Sequence, residues 1–425
     1  MPPSKPYDVV IFGASGFAGR LVVQHFLKDE VSCQLHSTLR WAIAGRNHEK
    51  LKDMLNDFIE SLPFMVSRER LAAIPILVAD AHDKASLETL VQSTRVVVST
   101  VNPFVLNGSL LVEACVEHGV HYCDLTGEML WVERMIQDFQ ARAMETGAVL
   151  VPCCGFDAVV ADLTAFELSR TVEDTHNSKC SSIAFFLTGS RGGFSGGSFA
   201  SVIAHVAEAR SHQDGWHKIS NPFLLCSDAE ERWESARQRQ QEGSWFPQRE
   251  RDLDKNSSVF FGAVVNRPIV HRSNELLDGR YGDVDTFVYQ HRMAVGGSLM
   301  QWVVTASMLS LGAMLYGKWT RAMLRAFGPK PGTGPAADAM QQGSFSATAF
   351  AYTAAGNLAA RAQLAGRGDP GFWLTTQILA QCAQCLARIE ELTPRRGFLT
   401  PASAFPHELT TALTSKRIIS LDIHA

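Results

Sequence analysis

Asp8-Val9-Val10-Ile11-Phe12-Gly13-Ala14-Ser15-Gly16-Phe17-Ala18-Gly19 is the stretch that decides the fold. Val9 to Phe12 is a short apolar run of the kind that forms a strand buried on both faces of a sheet. It ends in glycines at 13, 16 and 19, and a helical pattern follows with Ala18, Leu21, Val22 and Phe26 on one face. At a strand-to-helix junction each glycine has a physical task. Gly13 permits the tight turn, Gly16 lets the backbone approach a diphosphate, and Gly19 lets the helix pack closely on the sheet. Ala14, Ser15 and Phe17 complete a loop whose amides, with the positive end of the helix dipole, attract phosphate. The stretch predicts a dinucleotide site.

Strand-like and helix-like segments continue to alternate beyond it. Leu39 to Ala44, Ile74 to Ala79, Val96 to Ser99, His121 to Cys123 and Ala148 to Val151 read as strands, and Leu110 to Glu117 reads as a helix. Strands separated by helix-length segments imply crossover connections, hence an α/β fold with a Rossmann-type doubly wound parallel sheet. The end of the second strand selects the nucleotide. It reads Ala44-Gly45-Arg46-Asn47, with no acid from Arg40 to Asn47 to accept from a ribose hydroxyl or repel a 2′-phosphate. Arg46, with Asn47 beside it and Lys50 one turn on, suits that phosphate, so NADP is the expected cofactor. Asp80, after the third strand, is placed either against the adenine edge or as a helix cap. Val101, Asn102 and Pro103, after the fourth strand, are placed beside the nicotinamide.

From about Ser181 the texture changes. Ile183 to Leu187 and Val259 to Val265 read as strands, Phe199 to Arg210 and Phe372 to Glu391 as helices, and Gly328 to Gly343 as a surface loop. The 425 residues are 46% apolar and 19% charged, which excludes a disordered chain, a collagen or a disulfide-stapled miniature. Acids outnumber Lys and Arg by 43 to 39, so a nucleic-acid partner is not expected. Nine scattered cysteines and an opening Met1-Pro2-Pro3-Ser4-Lys5-Pro6 point to a reducing, cytoplasmic setting. No metal is expected: Cys382 and Cys385 share a helical face without a second ligand pair.

The loop Gly13 to Gly19, Ala44-Gly45-Arg46, Val101-Asn102-Pro103, Tyr122-Cys123-Asp124-Leu125-Thr126-Gly127-Glu128, Gly155-Phe156-Asp157 and Gly397-Phe398-Leu399-Thr400-Pro401-Ala402 occur in order. Together they resemble the saccharopine dehydrogenase-like oxidoreductases, a group that includes the mycobacterial trans-acting enoyl reductases. The resemblance implies a Rossmann domain at 1–178, an inserted α+β substrate and dimerisation domain at 179–392, and a C-terminal segment, 393–425, returning to the first domain. It also implies reduction of a C=C or C=N bond by a nicotinamide, and a homodimer.

Tyr122, Asp124 and Glu128 follow the fifth strand, whose carboxyl end faces the cofactor crevice. Tyr122 and Asp124 are therefore candidate catalytic groups, with capping of the following helix as the alternative for Asp124. Glu128 is a substrate contact. Of the adjacent Cys153 and Cys154 only one sulfur can face the crevice, and Cys154 is carried as a candidate thiol. Asp157 is expected to cap the helix beginning at Ala158. Arg191, Ser195 and Ser198 lie in a second glycine-rich turn suited to a carboxylate, phosphate or thioester carbonyl. Met293 to Gly317 holds no charge. Packing against a sheet or a second subunit is its leading reading, with a lipid surface as the alternative and a membrane span as the third. The functional expectation is an NADPH-dependent reductase of an unsaturated acyl or lipid-like substrate, free or carrier-protein bound, in the cytoplasm or at a membrane or lipid droplet. Two alternatives stand beside it: an imine or amino-acid dehydrogenase, and a silent lipid-surface protein that keeps the fold.

Overall fold

The computed structural model describes residues 5–32, 39–61, 67–192, 196–239, 247–327 and 333–425. Six strands alternate with helices over the first third of the chain: β1 (Tyr7–Phe12), β2 (Trp41–Gly45), β3 (Ile76–Val78), β4 (Thr94–Ser99), β5 (His121–Asp124) and β6 (Val149–Val151). All pair in parallel, in the order β6-β5-β4-β1-β2-β3, so the winding reverses between β1 and β4. That reversal opens a crevice at the carboxyl ends of the two strands, where nucleotides bind in such sheets. The first sheet is the expected doubly wound one.

A second sheet is mixed. It contains β7 (Ser182–Arg191), β8 (Gln248–Glu250), β9 (Lys255–Val259), β10 (Val288–Val295), β11 (Ser344–Tyr352) and β12 (Leu358–Arg367), with only β7 and β10 parallel. The tail of the chain contributes to both sheets. β13 (Gly397–Phe398) extends the first beside β6, and β14 (Ser420–His424) pairs with β12 in the second. The helix Phe156–His176 is buried at every position from Phe156 to Ser169 except Asp157.

Side-chain alternation divides the first sheet cleanly. Val9, Ile11, Val98, Cys123 and Val151 share one core with Ile183, Phe185, Ala349 and Leu364 of the second sheet. Val10, Phe12, Val97, Tyr122 and Leu150 point the other way, under the helices Lys84–Gln92, Ser109–Glu117 and Met129–Thr146. The period of two is what buries both faces.

Three segments depart from expectation. Val259 to Val265 is not one strand: β9 ends at Val259, the chain turns through Phe260 to Gly262, and a helix runs Ala263–Leu276. A short continuous apolar run has no periodicity to separate strand from helix. Phe372 to Glu391 is broken into a wide turn at Pro370–Leu374, a helix Thr375–Leu386 and a short helix Ile389–Leu392. The helix Thr375–Leu386 already packs on Phe17–Val31 and on β4 and β5, so contact with the first sheet resumes ahead of residue 393. Within 328–343, residues 328–332 lie outside the described ones and Ala337–Gln341 is helical.

Asp29 fastens these returning helices to the first. Its Oδ2 accepts from Gln381, Gln384 and Lys416, each at 2.8 Å. Asp29→Ala leaves a largely buried ammonium and two amides without their acceptor. It is expected to cost about 3 kcal/mol, read as a lower urea midpoint at unchanged slope.

Candidate functional site

The loop after β1 is built by backbone contacts. Gly13 has φ +84°, and a Cβ there would lie 2.6 Å from Val101 Cγ2 and 2.8 Å from Thr100 Oγ1. Gly19 is tighter still, with a Cβ position 2.3 Å from Gly13 O and 2.8 Å from Ala14 Cα. The Gly13 and Ala14 amides both donate to Ala44 O, at 2.9 and 3.2 Å, and Gly16 N–H donates to Gly13 O at 2.9 Å. Ala14 is wholly buried and its amide is spent on Ala44 O, so it shapes the loop from behind and is not a ligand contact. The amides of Ser15, Phe17 and Ala18 have no partner among the described residues, as expected at the open end of a helix. They are the groups left to hold a diphosphate. The Phe17 ring packs edge-on to Phe372 at 5.3 Å.

Arg46 is exposed at the end of β2, in the place expected for a reader of the 2′-phosphate. Asn47 is partly committed elsewhere, since its Oδ1 accepts from the Lys50 amide at 3.0 Å at the start of the helix His48–Ser61. Asp80 is not the cap of the next helix: Asp83 holds that position, and Asp80 Oδ1 takes the His82 amide at 3.0 Å. Val101, Asn102 and Pro103 form the half-buried rim beyond β4, with a cis bond between Asn102 and Pro103.

The groups in and just after β5 are fasteners. Tyr122 and Asp124 are buried, and the Tyr122 hydroxyl donates to Asp124 Oδ2 at 2.8 Å. Asp124 Oδ1 also accepts the amides of Thr126 at 2.9 Å and Cys153 at 3.0 Å, which locks β5 to the turn after β6. Burial pushes the Asp124 carboxyl up to about 7 against those donors, and it pushes the Tyr122 hydroxyl well above its usual value. Neither side chain is open to a substrate, and Asp124 does not cap the following helix either. Glu128 is corrected in the same way. Its two carboxylate oxygens accept the Phe104 amide at 3.0 Å and the Val105 amide at 2.7 Å, and the Ser201 hydroxyl also bonds to it. It therefore braces the Asn102-Pro103 rim from behind. Cys154 packs between Cys123 and Cys382, fully buried, with its thiol pushed well above the usual range by burial. Cys153 lies in the opposite core layer, equally closed. Cys154 is a core residue.

Arg191 is exposed at the end of β7, and Gly192 lies against Asp369. Ser195 and the side chain of Ser198 lie outside the described residues. No group of three or more His, Cys, Asp or Glu side chains is placed to hold a metal among the described residues.

Asp157 is the group sequence reasoning misplaced. The helix begins at Phe156 with Gly155 at its N-cap, so Asp157 sits in the first turn and does not cap it. Its side chain is solvent-accessible, yet so enclosed by surrounding protein that burial pushes its carboxyl up to about 6. It stands beyond the carboxyl end of β6, in the first turn of the helix that follows. The signal available in sequence was the position alone, directly after Gly155-Phe156.

Two substitutions test this geometry. Gly19→Ala meets backbone atoms that cannot yield and is expected to cost about 1–3 kcal/mol in urea unfolding. Glu128→Gln leaves one of two amides unpaired. The expected result is a loss of about 1–2 kcal/mol with faster hydrogen exchange at Phe104 or Val105.

Residues 9–151 match the family model of the saccharopine dehydrogenase NADP-binding domain, which assigns NADP to the crevice just described. A Mycobacterium tuberculosis protein bearing the designation of a trans-acting enoyl reductase is 31% identical over 96% of both chains. The trans-acting enoyl reductase of Mycobacterium bovis is 30% identical over 98% of both. Among solved structures, apo saccharopine dehydrogenase (L-Glu forming) from Saccharomyces cerevisiae superposes with a TM-score of 0.51. It is 11% identical and covers 99% of this chain and 100% of that one, a likeness of fold. With its NADP-binding crevice and full-length kinship, the chain belongs to the saccharopine dehydrogenase-like oxidoreductases.

Proposed function

We propose that this oxidoreductase reduces the C=C bond of an unsaturated acyl or lipid-like substrate with NADPH. The observation that carries the reading is Asp157, an open carboxyl at the carboxyl edge of the sheet, on a helix otherwise buried as far as Ser169. The full-length similarity to proteins named trans-acting enoyl reductases supports the bond type.

When bound, the nicotinamide supplies the hydride that the β-carbon receives. The protein's tasks are to orient the acyl group, exclude water and deliver a proton to the α-carbon. Asp157 stands exposed at the carboxyl edge of the sheet with its carboxyl pushed up to about 6 by the surrounding protein, whereas Tyr122 and Asp124 are sealed in the core. The braced rim Asn102-Pro103 sets one wall. Arg46, free of an acidic neighbour on its strand end, reads the 2′-phosphate.

The imine alternative needs cations converging on a multiply charged substrate. Of the two cations available for that role, Arg191 stands exposed at the end of β7, while Arg210 bonds Tyr316 O and stacks over the Tyr316 ring at 4.5 Å. That weakens the alternative.

Arg46→Ala is expected to raise the NADPH dissociation constant about tenfold, near 1.4 kcal/mol, with NADH binding unchanged. Equal losses for both cofactors, measured by fluorescence titration, would remove Arg46 from the 2′-phosphate. Turnover of an unsaturated acyl thioester should fall as pH rises through about 6, because the proton-bearing form of Asp157 is lost there. Asp157→Asn should flatten that limb and lower kcat with little change in KM. A variant with an unaltered pH profile would take proton delivery away from Asp157.

A further inference from the structure

The uncharged stretch forms a helix, Ser298–Tyr316, followed at Gly317 by a second, Lys318–Phe327. The first is inside out. Its two largest polar side chains face the protein, while Ser298, Ser307 and Ser310 stay exposed: Gln301 Nε2 donates to Ser257 O at 2.7 Å and Gln248 O at 3.0 Å, and Thr305 bonds Ser258 at 2.7 Å. Leu315 is its buried apolar anchor, packed on Ile203 and Val206. The large apolar groups face outward instead. Leu299 is 81% exposed, and Trp302, Val303, Leu309 and Tyr316 are also open. On the second helix Trp319 and Phe327 are 88% and 85% exposed, with Met323 between them on the same stripe. A surface helix of a soluble protein shows the reverse pattern, and an apolar surface of this extent marks an interaction site.

Charge identifies the partner. No Asp or Glu occurs between Asp285 and Asp338, while Lys318, Arg321, Arg325 and Lys330 do. Arg321 holds Leu315 O and Tyr316 O, each at 2.8 Å, and Lys318 is exposed. Outward tryptophans on a segment whose only charged residues are cations are the composition of a helix lying in a membrane interface. A second copy of this chain, docked isologously, would set the cations of this segment against themselves, and the segment itself carries no acid to pair them.

We propose that the helix pair Ser298–Tyr316 and Lys318–Phe327 is a docking surface for a lipid bilayer with anionic headgroups, seated in the plane of the interface. The first helix has 19 residues and a mean hydropathy of 1.4, enough to cross a bilayer by length and composition. Its tethering to β9 through Gln301 and Thr305, and to the helix Gly196–Ser211 through Leu315, keeps it on the surface. The proposal is independent of which bond the enzyme reduces.

The test is sedimentation of the full-length protein with phosphatidylcholine vesicles, with and without phosphatidylglycerol. Co-sedimentation with the anionic vesicles is expected, and about tenfold weaker binding to the neutral ones. Trp319→Glu/Phe327→Glu should abolish association while leaving far-UV circular dichroism and NADPH affinity intact. Lys318→Glu should weaken only the anionic binding. Failure to bind either vesicle, equal binding to both, or undiminished binding by the double variant would overturn the proposal. So would conversion of a dimer to a monomer by the double variant, measured by sedimentation equilibrium, if the parent protein ignores vesicles.

Discussion

The contact between Gly19 and the Gly13 carbonyl is the constraint from which the nucleotide site follows. A methyl group at residue 19 would lie 2.3 Å from that oxygen, so the helix Phe17–Val31 can start this close to β1 only without one. That approach aims the first-turn amides at the crevice. It also leaves room for Ala44 O to take the Gly13 and Ala14 amides, and for Thr100 Oγ1 to bond Phe12 O at 3.1 Å. Three adjacent strands are thereby pinned at their carboxyl ends, on either side of the point where the winding reverses. Nearly all of this is backbone chemistry, which is why a few glycines carry it.

Behind the crevice, buried acids do the joining. Glu128 bridges the rim after β4 to Ser201 of the helix Gly196–Ser211, and Asp124 ties β5 to the turn after β6. Asp162 spans further, accepting the Ala402 amide at 2.8 Å and the Tyr281 hydroxyl at 3.2 Å. A carboxylate inside protein is costly unless its oxygens are filled, and amide and hydroxyl donors fill these. Their chemistry is spent on shape. Asp157 differs: it sits exposed in the first turn of its helix, with Gly155 at the N-cap.

The first sheet was readable from sequence because alternation, glycine spacing and crossover length all agree there. The β2 terminus was readable too, since the missing acid near Arg46 is a local fact. What escaped was partnership across distance. Tyr122 and Asp124 look like a donor and a base in sequence, and only the fold shows that they satisfy each other. Glu128 looks open until the amides of Phe104 and Val105 arrive from another loop. Val259 to Val265 misled for a local reason: a seven-residue apolar run fits a strand or the start of a helix equally well. The inside-out helix at Ser298–Tyr316 was visible only as an absence of charge, and its outward face needed coordinates.

The two sheets are stitched together three times: by the helix Phe156–His176, by the passage from β12 through Thr375–Leu386 to β13, and by the tail running from β13 to β14. Three covalent seams and one shared core tie the packing of the second sheet to that of the first, so a change of volume on either side of that core is felt by both.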